Sequence, residues 1–243
     1  LVNADRIAKL LETNTKNAEG RGKMPQRVYT KKPIALDLFS GCGGLTQGLK
    51  DAGFNVIGAV EIDHLAVETY KANHPEVEVW ERDIRDINVI EIKSKLNIGK
   101  WELDLLAGCP PCQGFSTMRT LNGARKVEDP RNDLLFDFLR FAEELMPKTI
   151  MLENVPGLRK DKRFKAFCSR LEDIGYIVND AILNAENYGV PQRRKRLICI
   201  MGYKKKIEFT RPFTRKYTVF QTIGSLPEPG LSGDPIHDLP EKR

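Results

Sequence analysis

Nowhere in its 243 residues does the chain hold an apolar run approaching the ~20 residues of a membrane span, and its opening residues carry no signal-peptide pattern. Histidine is scarce: His64, His74 and His237 stand far apart and leave little material for a metal site. The five cysteines are odd in number and scattered, as in a protein whose thiols stay reduced rather than in a disulfide-stapled secreted scaffold. No internal repeat is present. These absences point away from membrane-spanning, secreted and solenoid classes. The expected location is the cytoplasm of a bacterium, or the nucleus if the host is a eukaryote.

What is present suits one large globular domain. The composition is 41% hydrophobic and 30% charged, and a core of this size needs no covalent staples. The net charge of +6 is unevenly spread. Residues 193–216 carry ten cations (Arg193, Arg194, Lys195, Arg196, Lys204, Lys205, Lys206, Arg211, Arg215 and Lys216) against Glu208 alone. Such density suits a polyanion such as nucleic acid, through phosphate contacts and counterion release, although a charge run taken alone is more often a plain solvated face or flexible tail.

Three segments follow from patterning. Residues 1–32 are polar and basic, with a short helical pattern at Ile7, Leu10 and Leu11, and read as a helix and linker. Residues 33–226 alternate strands with helices. "IALDLFS" (34–40), "NVIGAVEID" (55–63), "VEVWERDI" (77–84), "LDLLAGC" (103–109), "TIMLENV" (149–155), "IVNDAIL" (177–183) and "RLICIMGY" (196–203) are the strands. Helical periodicity marks about Leu45 to Ala52, a face from Leu134 to Leu145, and another from Phe164 to Ile174. Residues 227–243 are a Pro/Gly-rich tail. The fold class is α/β: a mostly parallel sheet covered on both faces, with ligands bound beyond the carboxyl ends of its strands.

Chemistry-bearing residues sit at those ends. "DLFSGCGG" closes the first strand with Gly41, Gly43 and Gly44, where a backbone can approach a ligand closely; Thr46 departs from the dinucleotide G-x-G-x-x-G pattern. Glu61 closes the second strand, placed for ribose hydroxyls, and Asp83 the third, placed for an adenine amino group. Each is also a plausible cap or turn. The fourth strand runs into "GCPPCQGFS". Zinc would need two further ligands, and a redox couple would want a helix N-terminus without a double proline. A nucleophilic thiolate, held by prolines that fix φ, suits the position better. "ENV" at 153–155 offers a carboxyl group to the same crevice, or else a capping pair. In "YGVPQRRKR" (188–196), Arg194 and Arg196 stand two apart on an expected strand and share a side, where with Gln192 they form a donor cluster.

In this order and spacing, "DLFSGCGG", "PPCQGFS", "ENV" and "YGVPQRRKR" resemble the DNA cytosine-5 methyltransferase family over about residues 33–226. "FQTIGSLPEP" resembles the segment that precedes the family's target-recognition region. The resemblance implies a Rossmann-like, S-adenosylmethionine-dependent fold with a seven-stranded sheet, one strand of it antiparallel. It implies methyl transfer to C5 of a flipped-out cytosine in double-stranded DNA. By position, Cys112 is the nucleophile that bonds to C6, Glu153 binds the cytosine edge, Arg194 binds its O2 or helps orient the loop, and Arg196 supports them. Phe39, Ser40, Gly41, Gly43, Gly44, Glu61, Ile62, Asp83, Ile84 and Pro110 fall to the cofactor. Gln113, Gly114, Ser116, Arg119 and Gln192 fall to the nucleic acid. No metal is implied.

Two departures stand out. Cys109 occupies a place where the family often has glycine, and it reads as a bystander. Beyond residue 226 the family continues with a target-recognition region and two further segments that seventeen residues cannot hold. The expectations are a split enzyme whose second chain brings that region, a truncated catalytic domain, or a chain that folds alone without activity. A tRNA cytosine-5 methyltransferase and a non-catalytic regulatory partner are the alternative functions. A dinucleotide oxidoreductase is the generic alternative for the fold, disfavoured by Thr46.

Overall fold

The computed structural model describes residues 32–111, 134–228 and 230–233. The expectations for residues 1–31, Cys112, Gln113, Gly114, Ser116, Arg119 and the last ten positions lie outside the described residues. No described helix is long and apolar enough to cross a membrane.

Seven strands form one sheet: β1 (Ile34–Leu38), β2 (Asn55–Glu61), β3 (Glu78–Glu81), β4 (Leu105–Gly108), β5 (Thr149–Asn154), β6 (Tyr176–Asn184) and β7 (Lys195–Tyr203). Their spatial order is β3-β2-β1-β4-β5-β7-β6. Strands β3, β2, β1, β4 and β5 pair in parallel, and β7 runs antiparallel to β5. The chain moves outward from β1 to β3, then returns to the other side of β1 at β4. That reversal opens a crevice between β1 and β4 at their carboxyl ends.

Strict alternation places side chains on the two faces. Leu36, Leu38, Leu106, Ile150, Leu152, Leu197, Cys199 and Met201 belong to one buried cluster; Ala35, Leu105, Ala107, Met151, Ile198 and Ile200 belong to the other. On the first face lie α3 (Val89–Leu96), α4 (Leu134–Leu145) and α5 (Lys162–Asp173); on the second lie α1 (Gly44–Asp51) and α2 (His64–Asn73). Helix α4 buries the whole expected stripe and Phe141 besides. Periodicity does not single out α2, because its ten residues bury only Val67 and Tyr70. Its start is fixed instead by Asp63, whose side chain accepts from the Ala66 N–H at 2.9 Å.

The described residues divide into two compact units. One comprises those up to Leu183 with Lys195–Thr210; the other comprises Asn184–Arg194 with those from Arg211 onward. The second unit holds the 3-10 turn Ala185–Tyr188 and α6 (Val219–Ile223), whose start is a reciprocal capping box between Thr218 and Gln221.

Candidate active site

The turn after β1 is tightly wound. Phe39, Gly41 and Gly43 have φ of 59°, 54° and 91°. An aromatic residue in the left-handed region costs of order 1–2 kcal/mol, so the surrounding structure must enforce it. Ser40 N–H donates to Val60 O at 3.1 Å and Gly43 N–H to Ser40 O at 3.0 Å. Gly41 N–H donates to Glu61 Oε2 at 2.8 Å, which ties the turn to the end of β2. Glu61 Oε1 takes the N–H groups of Ile62 and Asp63 at 2.8 and 2.9 Å.

A support the sequence does not advertise lies beneath this turn. His74, 3% exposed, meets the Lys50 ammonium through Nδ1 at 2.8 Å, so Nδ1 accepts and the proton sits on Nε2. Nε2 then donates to Gly43 O at 3.2 Å. Lys50 is held in turn by Glu76. Beside it Thr46 donates to Asp37 Oδ2 at 2.7 Å and shares a hydrogen bond with Tyr70 at 2.8 Å. A Cβ on Gly43 would stand 2.5 Å from the His74 ring. Gly43→Ala is therefore expected to destabilise the fold by about 3 kcal/mol, from left-handed strain and overpacking together. Denaturant unfolding checks this, and in a double-mutant cycle His74→Ala should recover part of the loss by vacating the ring's space.

The turn has the features a nucleoside ligand needs. Nothing lies within 4 Å of a Cβ built on Gly41 or Gly44. Glu61 Oε2 has one partner and can accept a second. Ile62 presents an apolar side chain that is 62% exposed, and Ser40 Oγ is buried without a partner. Asp83 differs from its expected place: β3 ends at Glu81, and Asp83 caps the 3-10 turn Ile84–Asp86 by accepting from Arg85 N–H at 2.9 Å. The Arg85 guanidinium holds its carboxyl below the usual range. Ile84 is buried, and Arg140 of α4 grips the same turn by donating to Ile84 O at 2.7 Å and Ile87 O at 2.8 Å.

At the ends of β4 and β5 the polar groups are paired off. Arg196 Nε lies 2.9 Å from Glu153 Oε1. Asn154, buried, donates from Nδ2 to Pro110 O at 2.9 Å and so clamps the double-proline loop. Glu153 and Arg196 both fall on the sheet face of Met151 and Ile198. The expectation for Arg194 needs correction. It precedes β7 in an exposed turn, with its N–H donating to Gln192 O at 3.0 Å, so strand alternation does not align it with Arg196. In that second unit Gln192, Arg193 and Arg194 are exposed, and Glu186 lies 3.7 Å from Arg193 and 3.6 Å from Lys216.

These strand ends, with a glycine turn on β1, an acid on β2 and a paired carboxylate on β5, recur in known proteins. A family model for C-5 cytosine-specific DNA methylase matches residues 35–241. The chain belongs to that family. It is 38% identical over 205 residues to the Type II methyltransferase M.XorII of Xanthomonas oryzae, covering 81% of this chain and 47% of that protein. It is 36% identical over 191 residues to M.AquIA of Picosynechococcus, covering 73% of this chain and 75% of that protein. Among solved structures, a chain described as a DNA modification methyltransferase encoded in an E. coli prophage superposes with a TM-score of 0.68 at 32% identity, over 81% of this chain and 56% of that one. The fold is thus the α/β methyltransferase fold. The chain spans about half the length, or less, of curated relatives such as M.XorII and M.DdeI of Desulfomicrobium norvegicum.

Proposed function

We propose that this chain is the catalytic and cofactor-binding part of an enzyme that methylates C5 of cytosine in double-stranded DNA. The observation that carries the reading is the Glu153–Arg196 pair at the crevice end of β5 and β7, beside the clamped loop that leads to Cys112, in a chain of this family. Phe39, Ser40 and the Gly41–Gly44 turn, with Glu61, Ile62, Asp83, Ile84 and Pro110, would hold S-adenosylmethionine. When bound, that cofactor supplies an electrophilic methyl group.

The remaining chemistry falls to the chain's own side chains. Cytosine C5 is a weak nucleophile. The Cys112 thiolate bonds to C6 and pushes an electron pair toward C5. After substitution there, C5 loses its proton and the Cys112–C6 bond breaks, which restores the aromatic ring and the thiolate. Glu153 binds the N3 and amino edge as charge builds on the ring, and Arg196 keeps that carboxylate in place. Arg194 contacts O2. The base must leave the duplex stack, at a cost of a few kcal/mol. Gln113, Gly114, Ser116, Arg119 and Gln192 would meet the DNA around it.

The part of the longer relatives that these residues do not match would bring target recognition. The test uses a duplex carrying 5-fluorocytosine at the target, with cofactor and the remaining segments of a matched relative as a second polypeptide. Fluorine cannot leave as a proton, so a covalent protein–DNA adduct should accumulate. Absence of any adduct while S-adenosylhomocysteine still binds would overturn the covalent reading.

A further inference from the structure

We infer that Cys109 is a positioning residue for Glu153, its thiol donating to the carboxylate that Arg196 holds from another direction. The inference rests on the reading of Glu153 as the group that meets the base.

Strand geometry carries it. Strands β4 and β5 pair in parallel with Ala107 opposite Met151 and Gly108 opposite Leu152, so the next residues to meet are Cys109 and Glu153. Alternation puts both on the face of Ala107 and Met151, where Arg196 also falls, two residues from Ile198. The Cys109 side chain and the Glu153 carboxylate are thus neighbours on one face of the sheet.

The backbone that presents it is fixed on both sides. Cys109 N–H donates to Leu38 O at 3.3 Å, and Pro110 O is clamped by Asn154. A Cβ on Gly108 would stand 2.6 Å from Leu38 O, so the strands touch closely just before the cysteine. Burial and the nearby carboxylates of Glu153 and Asp37 push the thiol's pKa well above its ordinary value. Cys109 is thus a neutral, proton-bearing donor.

Its use follows from counting. A carboxylate has about four acceptor sites. Arg196 Nε takes one; with the thiol donating to another, two remain for the N3 and amino edge of a base. A second cation in place of the thiol would compete with the base more strongly, because charge-assisted hydrogen bonds are roughly twice as strong as neutral ones.

The experiment has two arms on the full chain. In the first, the infrared S–H stretch of Cys109 is isolated as a difference against Cys109→Ala. It should move to higher frequency in Glu153→Gln, where a neutral amide replaces the carboxylate. A band that stays put overturns the contact. In the second arm, methyl transfer is measured with the second polypeptide supplied. Cys109→Ala should lower kcat roughly tenfold, with KM for cofactor and DNA unchanged within about twofold, and Cys109→Ser should restore most of it. An unchanged kcat in Cys109→Ala, or no rescue by serine, overturns the positioning role. If Glu153→Gln keeps full methyl transfer, it is the base-contact reading of Glu153 that fails, whatever the band shows.

Discussion

A Cys112→Ser chain is expected to lose methyl transfer by at least about four orders of magnitude, the scale seen when a covalent nucleophile is removed. It should still bind S-adenosylhomocysteine, because none of the groups around the Gly41–Gly44 turn is touched. A hydroxyl is far less acidic than a thiol, so serine does not offer an equivalent anion at neutral pH. The competing candidate is Cys109, three residues earlier in the same loop. Its surroundings argue against it. Nucleophilic cysteines sit near positive charge or helix N-termini that stabilise the thiolate. Cys109 instead meets burial and two carboxylates, which oppose losing its proton. Mass spectrometry of the 5-fluorocytosine adduct separates the two. Cys109→Ser should still form the adduct and Cys112→Ser should not. The reverse pattern would exchange their roles.

The contrast between these cysteines shows what a linear reading can and cannot deliver. The strand–helix alternation, the apolar stripe of α4 and the acid ending β2 were legible because each is a local pattern of burial or spacing. The family was legible because its motifs occur in a fixed order. What the linear sequence does not show for Cys109 is its neighbour: Glu153 lies 44 positions away, and only the parallel register of β4 on β5 sets the two side by side. His74 was invisible for the same reason: its contacts to Lys50 and Gly43 span 24 and 31 positions. Arg194 shows the opposite error. Its two-residue spacing from Arg196 suggests strand alternation, but β7 begins at Lys195 and leaves Arg194 just ahead of the strand. Asp83 follows a strand pattern in the sequence but caps a short turn, a role that aspartate fills through its own side chain wherever a free N–H follows.

Asp37 carries the second large effect, on stability rather than turnover. It lies near the end of β1, 1% exposed, with Oδ2 accepting from Thr46 and Oδ1 buried without a partner. Burial, above all, raises its pKa from the ordinary 3.8 to about 7. The folded chain therefore keeps a proton on Asp37 that the unfolded chain releases near pH 4. Between those values the native state binds more protons than the unfolded state, so this group makes stability fall as pH rises. Below about pH 4 both states are protonated and the penalty vanishes. Above about pH 7 it is complete, and the shift corresponds to roughly 4 kcal/mol. Asp83 and Asp161, whose pKa values are lowered by Arg85 and Arg163, act oppositely, but their stabilisation is lost only as pH falls below the usual carboxylate range. They do not mask the window from about pH 5 to 8. Asp37→Asn keeps the side-chain shape and an oxygen to accept from Thr46, and it removes the buried charge. Urea unfolding of the native chain should show a drop of about 2.5 kcal/mol from pH 5 to 8 on account of Asp37. The Asn variant should lose that drop, keeping only the fall that His64, whose pKa is raised by Glu81, adds as its proton comes off. At pH 8 the variant should be the more stable of the two. Parallel pH curves for the two proteins would mean that the charge on Asp37 is compensated by something other than its proton.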